Sequence, residues 1–213
     1  MIVDERFTTY LNSLYKELSP ELAEIRDEAL VNYVPIIRTE TQNLLQTLIQ
    51  LKKPHKILEV GCAVGFSACL MAEAAGEECS ILTIENYEPR IPVARANFVK
   101  AHREKQITLL EGDAQDILPT IDDKFDLIFM DAAKGQYINF WPDVKRLIAD
   151  DGMIITDNVL QDGDIIESRF AVTRRNRTIH KRMRDYLYEL THDDSFSTTI
   201  LPLGDGVSIS VRG

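Results

Sequence analysis

Short apolar runs alternate along most of the chain with segments in which apolar residues recur every three or four positions. The short runs are typical of buried strands, and the longer spacing is typical of helices that bury one face. We predict strands over residues 57–60, 81–84, 107–110, 125–130 and 153–155, with helices that begin at Gly65, end near His102 and span about 140–148. This alternation predicts an α/β fold with a parallel sheet between helices on both faces.

The end of the chain breaks the alternation. Two strand patterns, residues 198–203 and 207–211, are joined through Gly204-Asp205-Gly206. Glycine-containing turns between two such runs are typical of β-hairpins. We therefore predict a mostly parallel seven-stranded sheet that is completed by an antiparallel strand of this C-terminal hairpin.

The beginning of the chain has helical patterns instead of strands. A first helix is predicted by apolar residues at helical spacing, namely Phe7, Leu11, Leu14 and Leu18. Ser19-Pro20 is a typical start of a second helix, and Thr39 with Gln42 has the spacing of a capping box for a third. We interpret the whole chain as a single domain, in which a helical extension over residues 1–54 caps an α/β core over residues 55–213.

The composition is that of a folded protein, because 45% of the residues are hydrophobic and 27% are charged. No apolar stretch approaches the ~18 residues that cross a bilayer. Asp4 and Glu5 stand where a signal peptide would be basic, so we expect a cytoplasmic protein with no membrane partner. Cys62, Cys69 and Cys79 lack the spacing of a zinc site or of a disulfide framework, and we expect reduced thiols.

Charge is distributed unevenly along the chain. The 34 acidic residues outnumber the 24 basic ones, and the net charge of −10 argues against a surface coated with nucleic acid. Residues 169–184 differ, since they contain no acidic residue and these basic ones: Arg169, Arg174, Arg175, Arg177, Lys181, Arg182 and Arg184. This basic segment is either a docking patch for a polyanion or the solvated face of an amphipathic helix that buries Ile179, Met183 and Leu187.

A glycine loop follows the first predicted strand, at the edge where open α/β sheets bind ligands. Gly61 and Gly65 allow a tight turn and a close approach of the backbone to a ligand. Ala63 takes the middle position of the glycine fingerprint that binds the pyrophosphate of NAD or FAD, which disfavours those cofactors. Glycines are also common in ordinary strand-to-helix turns, so the loop alone leaves both interpretations open.

Acidic residues end each of the first three predicted strands. Glu59 is placed to face a cationic amino group, and Glu85 is placed to accept hydrogen bonds from ribose hydroxyls. Gly112-Asp113-Ala114 follows the third strand, a position suited to an adenine edge. With the glycine loop, this set resembles the S-adenosylmethionine site of the class I methyltransferases, which have a Rossmann-like fold.

Oxygen-bearing side chains end the fourth and fifth predicted strands. Asp131 follows the fourth strand, and Asp157 and Asn158 follow the fifth. Adjacent strands would bring these residues together as three oxygen ligands for a hard cation such as Mg²⁺, with Mn²⁺ as an alternative ion. Lys134 lies three residues after Asp131, near enough to serve the same site. Taken singly, such acids can also be helix caps, and an Asp-Asn pair can be a turn.

The chemistry that needs a methyl donor beside such a cation is O-methylation of an acidic hydroxyl that has a second oxygen next to it. A divalent ion chelated by both oxygens lowers the pKa of the hydroxyl and aligns it with the methyl group. Lys134 would then accept the proton or stabilise the oxyanion.

Several motifs carry a family resemblance that covers nearly the whole chain. Asp131-x-x-Lys134 and Asp157-Asn158 resemble the metal-dependent O-methyltransferases of the catechol and caffeoyl-CoA type. Longer runs are similar to the bacterial tRNA 5-hydroxyuridine methyltransferases: Val34-Pro35-Ile36-Ile37, Asp131-Ala132-Ala133-Lys134-Gly135-Gln136-Tyr137, Ile154-Ile155-Thr156-Asp157-Asn158-Val159-Leu160 and Pro202-Leu203-Gly204-Asp205-Gly206. The chain departs from these relatives at Cys62-Ala63-Val64 in the glycine loop, which affects only details of that loop.

The resemblance implies methylation of the 5-hydroxyl of a wobble uridine in the tRNA anticodon loop. It implies Mg²⁺ at Asp131, Asp157 and Asn158, and S-adenosylmethionine against Ile37, Ser67, Glu85, Asp113, Ala114 and Asp131. We expect the tRNA to meet Arg174, Arg175 and Arg177, with Arg38 and Tyr137 as further candidates. The resemblance and the N-terminal helices also favour a homodimer.

Three other functions remain open at this point. The first keeps the reaction and changes the substrate to a small catechol or a hydroxycinnamoyl ester. The second is a non-catalytic RNA-binding module on the same fold, which the intact set Asp131, Lys134, Asp157 and Asn158 argues against. The third is an NAD-dependent oxidoreductase, which Ala63 disfavours.

Overall fold

The computed structural model of the chain describes residues 3–168 and 170–213, so Met1, Ile2 and Arg169 of the basic segment lie outside the described residues. Within this part, one sheet contains seven strands: β1 (Lys56–Val60), β2 (Ser80–Glu85), β3 (Ile107–Glu111), β4 (Phe125–Met130), β5 (Ile148–Thr156), β6 (Phe196–Leu201) and β7 (Val207–Arg212). Their order is β3-β2-β1-β4-β5-β7-β6. The strands β1 to β5 pair in parallel, and β7 runs antiparallel between β5 and β6. The predicted α/β fold with its C-terminal hairpin is confirmed.

The same described residues form eight α-helices: α1 (Glu5–Asn12), α2 (Pro20–Val31), α3 (Thr39–Lys52), α4 (Phe66–Ala75), α5 (Ile91–Lys100), α6 (Ala114–Ile117), α7 (Tyr137–Leu147) and α8 (Arg177–His192). Short 3₁₀ turns occupy Leu118–Thr120 and Gln161–Ile166. Helices that follow strands return the chain across the sheet, as parallel pairing requires. Every parallel strand therefore ends at the same edge of the sheet.

Two hydrophobic clusters cover the two faces of the sheet. One contains apolar residues of α2 to α5, and the other contains apolar residues of α7 and α8. Leu22, Ile25, Leu45 and Ile49 place α2 and α3 in the first cluster, together with sheet residues. The segment 1–54 therefore shares its core with the rest of the chain, although α1 contributes no buried residue.

Two details of the N-terminal predictions are wrong. The N-cap of α3 is Arg38 instead of Thr39, and Gln42 Nε2 donates to the Ile37 carbonyl at 2.8 Å, so no capping box forms. The first helix ends at Asn12, and Leu14 lies beyond it. The start of α2 at Ser19-Pro20 is confirmed, with proline at the first helical position.

The described cysteines Cys62, Cys69 and Cys79 are free and buried, as expected. Burial raises the pKa of each thiol, which keeps these side chains protonated. No helix among the described residues is long and apolar enough to span a bilayer.

Candidate active site

A cavity of about 610 Å³ opens at the carboxyl edge of the parallel strands. Most residues that the sequence singles out line it: Ile37, Arg38, Gly61, Ser67, Glu85, Asp113, Ala114, Asp131, Lys134, Asp157 and Asn158. Two further candidates, Glu59 and Tyr137, are buried beside it and do not line it. The fold thus brings the predicted cofactor and metal residues to one site.

The glycine loop between β1 and α4 lines this cavity. Its two glycines have backbone angles that other residues rarely adopt. Gly61 has φ of 102°, and a Cβ at this position would collide with the carbonyl oxygen of Asp131. Gly65 has φ of 82° and is the N-cap of α4. The loop between β1 and α4 therefore packs directly on the end of β4.

Glu85 ends β2 with its carboxylate held by backbone amides. Its Oε2 accepts from Ala63 N at 2.7 Å, and its Oε1 accepts from Asn86 N at 3.0 Å and from Tyr87 N at 2.7 Å. A carboxylate has about four acceptor positions, so acceptor capacity is left for a ligand in the cavity. This geometry fits the predicted contact with ribose hydroxyls.

Asp113 caps a helix and also lines the cavity. Its Oδ1 accepts from Gln115 N at 2.8 Å, which caps the short helix α6. Asp113 and Ala114 also line the cavity on the side of β3. Tyr87 and Arg90 line the same side, with the Arg90 guanidinium 5.2 Å from the centre of the Tyr87 ring. Sequence reasoning missed this pair, although it directly follows Glu85.

Glu59 does not face the cavity, which corrects the prediction that it contacts a cationic amino group directly. The side chain is fully buried, and its carboxylate accepts hydrogen bonds from Ser67 Oγ and Thr83 Oγ1. Burial raises its pKa to about 7 despite these hydrogen bonds. Glu59 therefore supports Ser67 from below, and Ser67 presents the polar surface to the cavity.

Asp131 and Asp157 extend the hydrogen bonding of the sheet by one residue beyond β4 and β5. Asp131 N donates to Val60 O, and Asp157 N donates to Met130 O, each at 3.0 Å. This places the two carboxylates at neighbouring strand ends, as the sequence predicts. Burial raises the pKa of both, and each pKa is raised further by a nearby carboxylate.

Asn158 follows Asp157 in a left-handed conformation with φ of 60°, which asparagine tolerates better than most residues. Residues 3–168 and 170–213 contain no group of three His, Cys, Asp or Glu side chains arranged for a metal ion. The candidate site therefore depends on the Asn158 amide oxygen as its third ligand. One half-buried carboxylate, one buried carboxylate and an amide oxygen fit a hard divalent cation, because its charge would offset the burial and the repulsion that raise the pKa values of Asp131 and Asp157.

Lys134 is half-buried in the loop between β4 and α7 and lines the cavity with Asp131 and Asp157. Its positive charge lowers the pKa of both carboxylates, although burial outweighs this effect. Asp205, in the turn between β6 and β7, also lines the cavity. Sequence analysis assigned Asp205 only to a hairpin turn and so missed its place in the site.

Tyr137 does not wall a base pocket, which corrects its assignment as a substrate contact. It is fully buried, and its hydroxyl donates to Ala132 O and Asp157 O at 3.2 Å each. Its ring packs edge to face against Tyr186, with 5.7 Å between ring centres. Tyr137 therefore fixes the loops that carry Asp131 and Asp157, and burial raises the pKa of its hydroxyl well above the usual value.

Arg38 lies at the rim of the cavity, where it pairs with two carboxylates. Its Nη2 lies 2.6 Å from Asp205 Oδ1 and 3.2 Å from Asp162 Oδ1. These contacts link the start of α3 to the segment after β5 and to the β6–β7 turn. Arg38 therefore forms ion pairs within the protein, whereas the sequence suggested a contact with tRNA.

The described part of the basic segment lies beside the cavity without lining it. Arg174 and Arg175 are exposed in the turn before α8, and Arg177 begins this helix. Arg182 Nη1 donates to Gly135 O at 3.2 Å, next to Lys134 in the chain. The predicted amphipathic helix is only partly right: α8 buries Met183, but Leu187 is half-buried and Ile179 is exposed.

Comparisons with known proteins identify the family of the chain. A family model described as O-methyltransferase matches residues 12–213. Caffeoyl-CoA O-methyltransferase 1 of Arabidopsis thaliana is 30% identical over 216 residues, which cover 94% of this chain and 81% of that protein. A catechol O-methyltransferase of Niastella koreensis is 35% identical over 128 residues, 58% of each chain.

Solved structures show the same fold. A putative caffeoyl-CoA O-methyltransferase from Staphylococcus aureus superimposes with a TM-score of 0.89 at 32% identity, covering 96% of this chain and 98% of that one. An O-methyltransferase from Bacillus cereus, solved in complex with SAH, superimposes with a TM-score of 0.85 at 22% identity and covers 96% of both chains. Because the family model matches nearly the whole chain and a relative of 30% identity covers 94% of it, the chain belongs to the O-methyltransferase family.

Proposed function

We propose that this O-methyltransferase uses S-adenosylmethionine and Mg²⁺ to methylate the 5-hydroxyl of 5-hydroxyuridine at the wobble position of tRNA. The observation that carries the proposal is the meeting of Asp131, Asp157 and Asn158 with Lys134 at one end of the cavity. The glycine loop and Glu85 form the other end. A methyl donor and an acceptor hydroxyl can therefore be held next to each other.

The cofactor half of the cavity suits S-adenosylmethionine, which would supply the methyl group. Backbone amides orient the Glu85 carboxylate, which has acceptor capacity for the ribose hydroxyls. Gly61 lets the backbone approach the methionine part of the cofactor. The SAH-bound Bacillus cereus relative has the same fold, which supports the cofactor class.

The metal half suits an acceptor with two neighbouring oxygens. A divalent cation bound there would lower the pKa of the acceptor hydroxyl. Asp131, Asp157 and Asn158 would hold the cation, and Tyr137 keeps the two loops that carry them in place. Lys134 takes the proton of the hydroxyl or stabilises the oxyanion that remains.

The tRNA substrate is supported by charge and chemistry together. A 5-hydroxyuridine presents its hydroxyl beside the 4-keto oxygen, the same pair of oxygens that a catechol offers. The basic segment lies next to Gly135 and Lys134, so its exposed Arg174 and Arg175 can contact anticodon phosphates while the base enters the cavity.

A small catechol or hydroxycinnamoyl ester is the second candidate substrate, and the relatives favour it. The matched proteins from Niastella koreensis and Arabidopsis thaliana are named for such substrates. With this acceptor, the arginines of the basic segment would only be a solvated surface.

The deciding experiment is methyl transfer from labelled S-adenosylmethionine to two acceptors, tRNA that carries 5-hydroxyuridine and a simple catechol. Each reaction is run with Mg²⁺ and with EDTA. We expect efficient labelling of the tRNA that EDTA abolishes. Labelling of the catechol alone would replace the substrate, and labelling that persists in EDTA would contradict the metal.

The homodimer and the cytoplasmic location stay predictions. Exposed apolar residues on α1, which are Phe7, Tyr10 and Leu11, would suit contact with a second copy of the chain. Light scattering on the purified protein gives the mass directly: twice 24.2 kDa supports a homodimer, and 24.2 kDa argues against it.

A further inference from the structure

The turn between β6 and β7 is fastened to the segment that carries the candidate metal ligand Asn158. Leu160 N donates to Asp205 O at 2.9 Å, and Val159 N donates to Gly206 O at 3.0 Å. A Cβ at Gly206 would collide with the Leu160 side chain, so the two segments approach as closely as glycine allows. The turn therefore holds Asp205 at a fixed place relative to Asn158.

The Asp205 carboxylate joins two parts of the site. Its Oδ2 accepts from Asn158 Nδ2 at 3.4 Å, while its Oδ1 lies 2.6 Å from Arg38 Nη2. Only 13% of the Asp205 side chain is exposed, so these contacts are shielded from bulk water. A path of polar contacts thus runs from the start of α3, through the β6–β7 turn, to the end of β5.

An asparagine side chain has one oxygen that can bind a cation and an amide nitrogen that cannot. A carboxylate acceptor determines the orientation of the amide, because it takes the nitrogen end and leaves the oxygen end for another partner. Asn158, Asp205, Asp131 and Asp157 line the same cavity. A cation held by Asp131 and Asp157 would therefore be within the same cavity as the Asn158 oxygen and could be its second partner.

We propose that Asp205 is a positioning residue for the metal site: it holds the Asn158 amide by its nitrogen, and Arg38 holds Asp205. This inference rests on the proposed Mg²⁺ dependence and deepens it. It also gives Arg38 a role inside the enzyme. Groups that orient metal ligands change metal affinity by about 10- to 100-fold when they are removed.

The test is a titration of the SAH-bound protein with Mn²⁺, in which free Mn²⁺ is followed by electron paramagnetic resonance. Asp205→Asn and Asp164→Asn form a matched pair, because each removes one carboxylate charge, and Asp164 is exposed on the neighbouring Gln161–Ile166 turn. We expect Asp205→Ala to weaken Mn²⁺ binding about tenfold or more, with SAH affinity unchanged. Asp205→Asn keeps an oxygen acceptor and should show a smaller loss. Asp164→Asn should change the Mn²⁺ affinity less than about twofold, since solvent screens the charge of an exposed carboxylate.

Each outcome decides the proposal. Equal weakening by Asp205→Asn and Asp164→Asn would reduce the effect to net charge and overturn the positioning role. Unchanged affinity in Asp205→Ala would also overturn it. If Asp205→Ala does not fold, as judged by circular dichroism, the order of the two Asn variants decides instead. Wild-type protein that binds no Mn²⁺ would overturn the proposed metal dependence and, with it, this inference. Wild-type protein that binds Mn²⁺, with the same affinity in Asp205→Ala, would overturn this inference alone.

Discussion

The charged carboxylate is stabilised in one half of the cavity and destabilised in the other. In the cofactor half, backbone amides of the glycine loop and of the following turn donate to Glu85. In the metal half, burial and neighbouring carboxylates raise the pKa of Asp131 and Asp157, and Lys134 offsets only part of this. The chain therefore orients the acceptor of the cofactor half with its own backbone, whereas the metal half would gain most from the proposed cation.

The largest effect that separates the halves is expected from Asp157→Ala. We expect methyl transfer to fall by about a thousandfold, since a metal contribution of several kcal/mol would be lost. The affinity for SAH, measured by calorimetry, should stay within about threefold, because the cofactor half is unchanged. A comparable loss of SAH affinity would show that the halves are not separable.

Glu85→Ala should produce the converse. It removes a charged acceptor from Ala63, Asn86 and Tyr87 amides and from the cofactor, which we expect to weaken SAH binding about a hundredfold. Mn²⁺ affinity should remain close to that of the wild type. Glu88→Ala, at an exposed position three residues away, is the matched control and should leave SAH affinity unchanged.

Glu59, which is buried beside the cofactor half, should make the stability of the folded protein depend on pH. Its pKa is raised from 4.5 to about 7 by burial, so the folded protein binds a proton there that the unfolded chain has released. The free energy of unfolding should therefore fall as pH rises from about 4.5 through 7, by about 3 kcal/mol. Glu59→Gln should flatten this dependence in urea unfolding at pH 5 and pH 8. The same slope in both proteins would exclude Glu59 as its source.

The smallest effect concerns the basic segment outside both halves. Arg174→Ala combined with Arg175→Ala should weaken tRNA binding about fivefold and lower the salt dependence by about two phosphate contacts. Turnover of a small catechol should not change. Arg95→Ala, which removes an exposed arginine on α5, is the control. A tRNA affinity that is insensitive to the double substitution would leave these arginines as a solvated surface.

The features predicted correctly from the sequence are those that depend on short stretches of the chain, namely the strands and the residues at their ends. Apolar runs located the strands, and the strand-end rule brought Glu85, Asp131 and Asp157 to one edge because parallel strands share their carboxyl ends. Gly61 was also found from the sequence, as a residue that allows a tight turn, and the structure adds that a Cβ at this position would collide with Asp131 O.

Side-chain direction and distant partners were not predictable. Glu59 ends β1 as expected but points into the core, where Ser67 and Thr83 donate to it. Gln42 donates to Ile37 O instead of closing a capping box. The strand-end rule applies to parallel strands and so does not locate Asp205. This residue belongs to an antiparallel hairpin that folds back onto Asn158.

The most direct test of the central claim is a crystal structure of the protein with SAH and Mn²⁺, with anomalous scattering used to locate the metal. If these residues hold the metal, we expect one strong anomalous peak within bonding distance of oxygen atoms of Asp131, Asp157 and Asn158. A peak elsewhere, or SAH bound with no metal beside these residues, would contradict it.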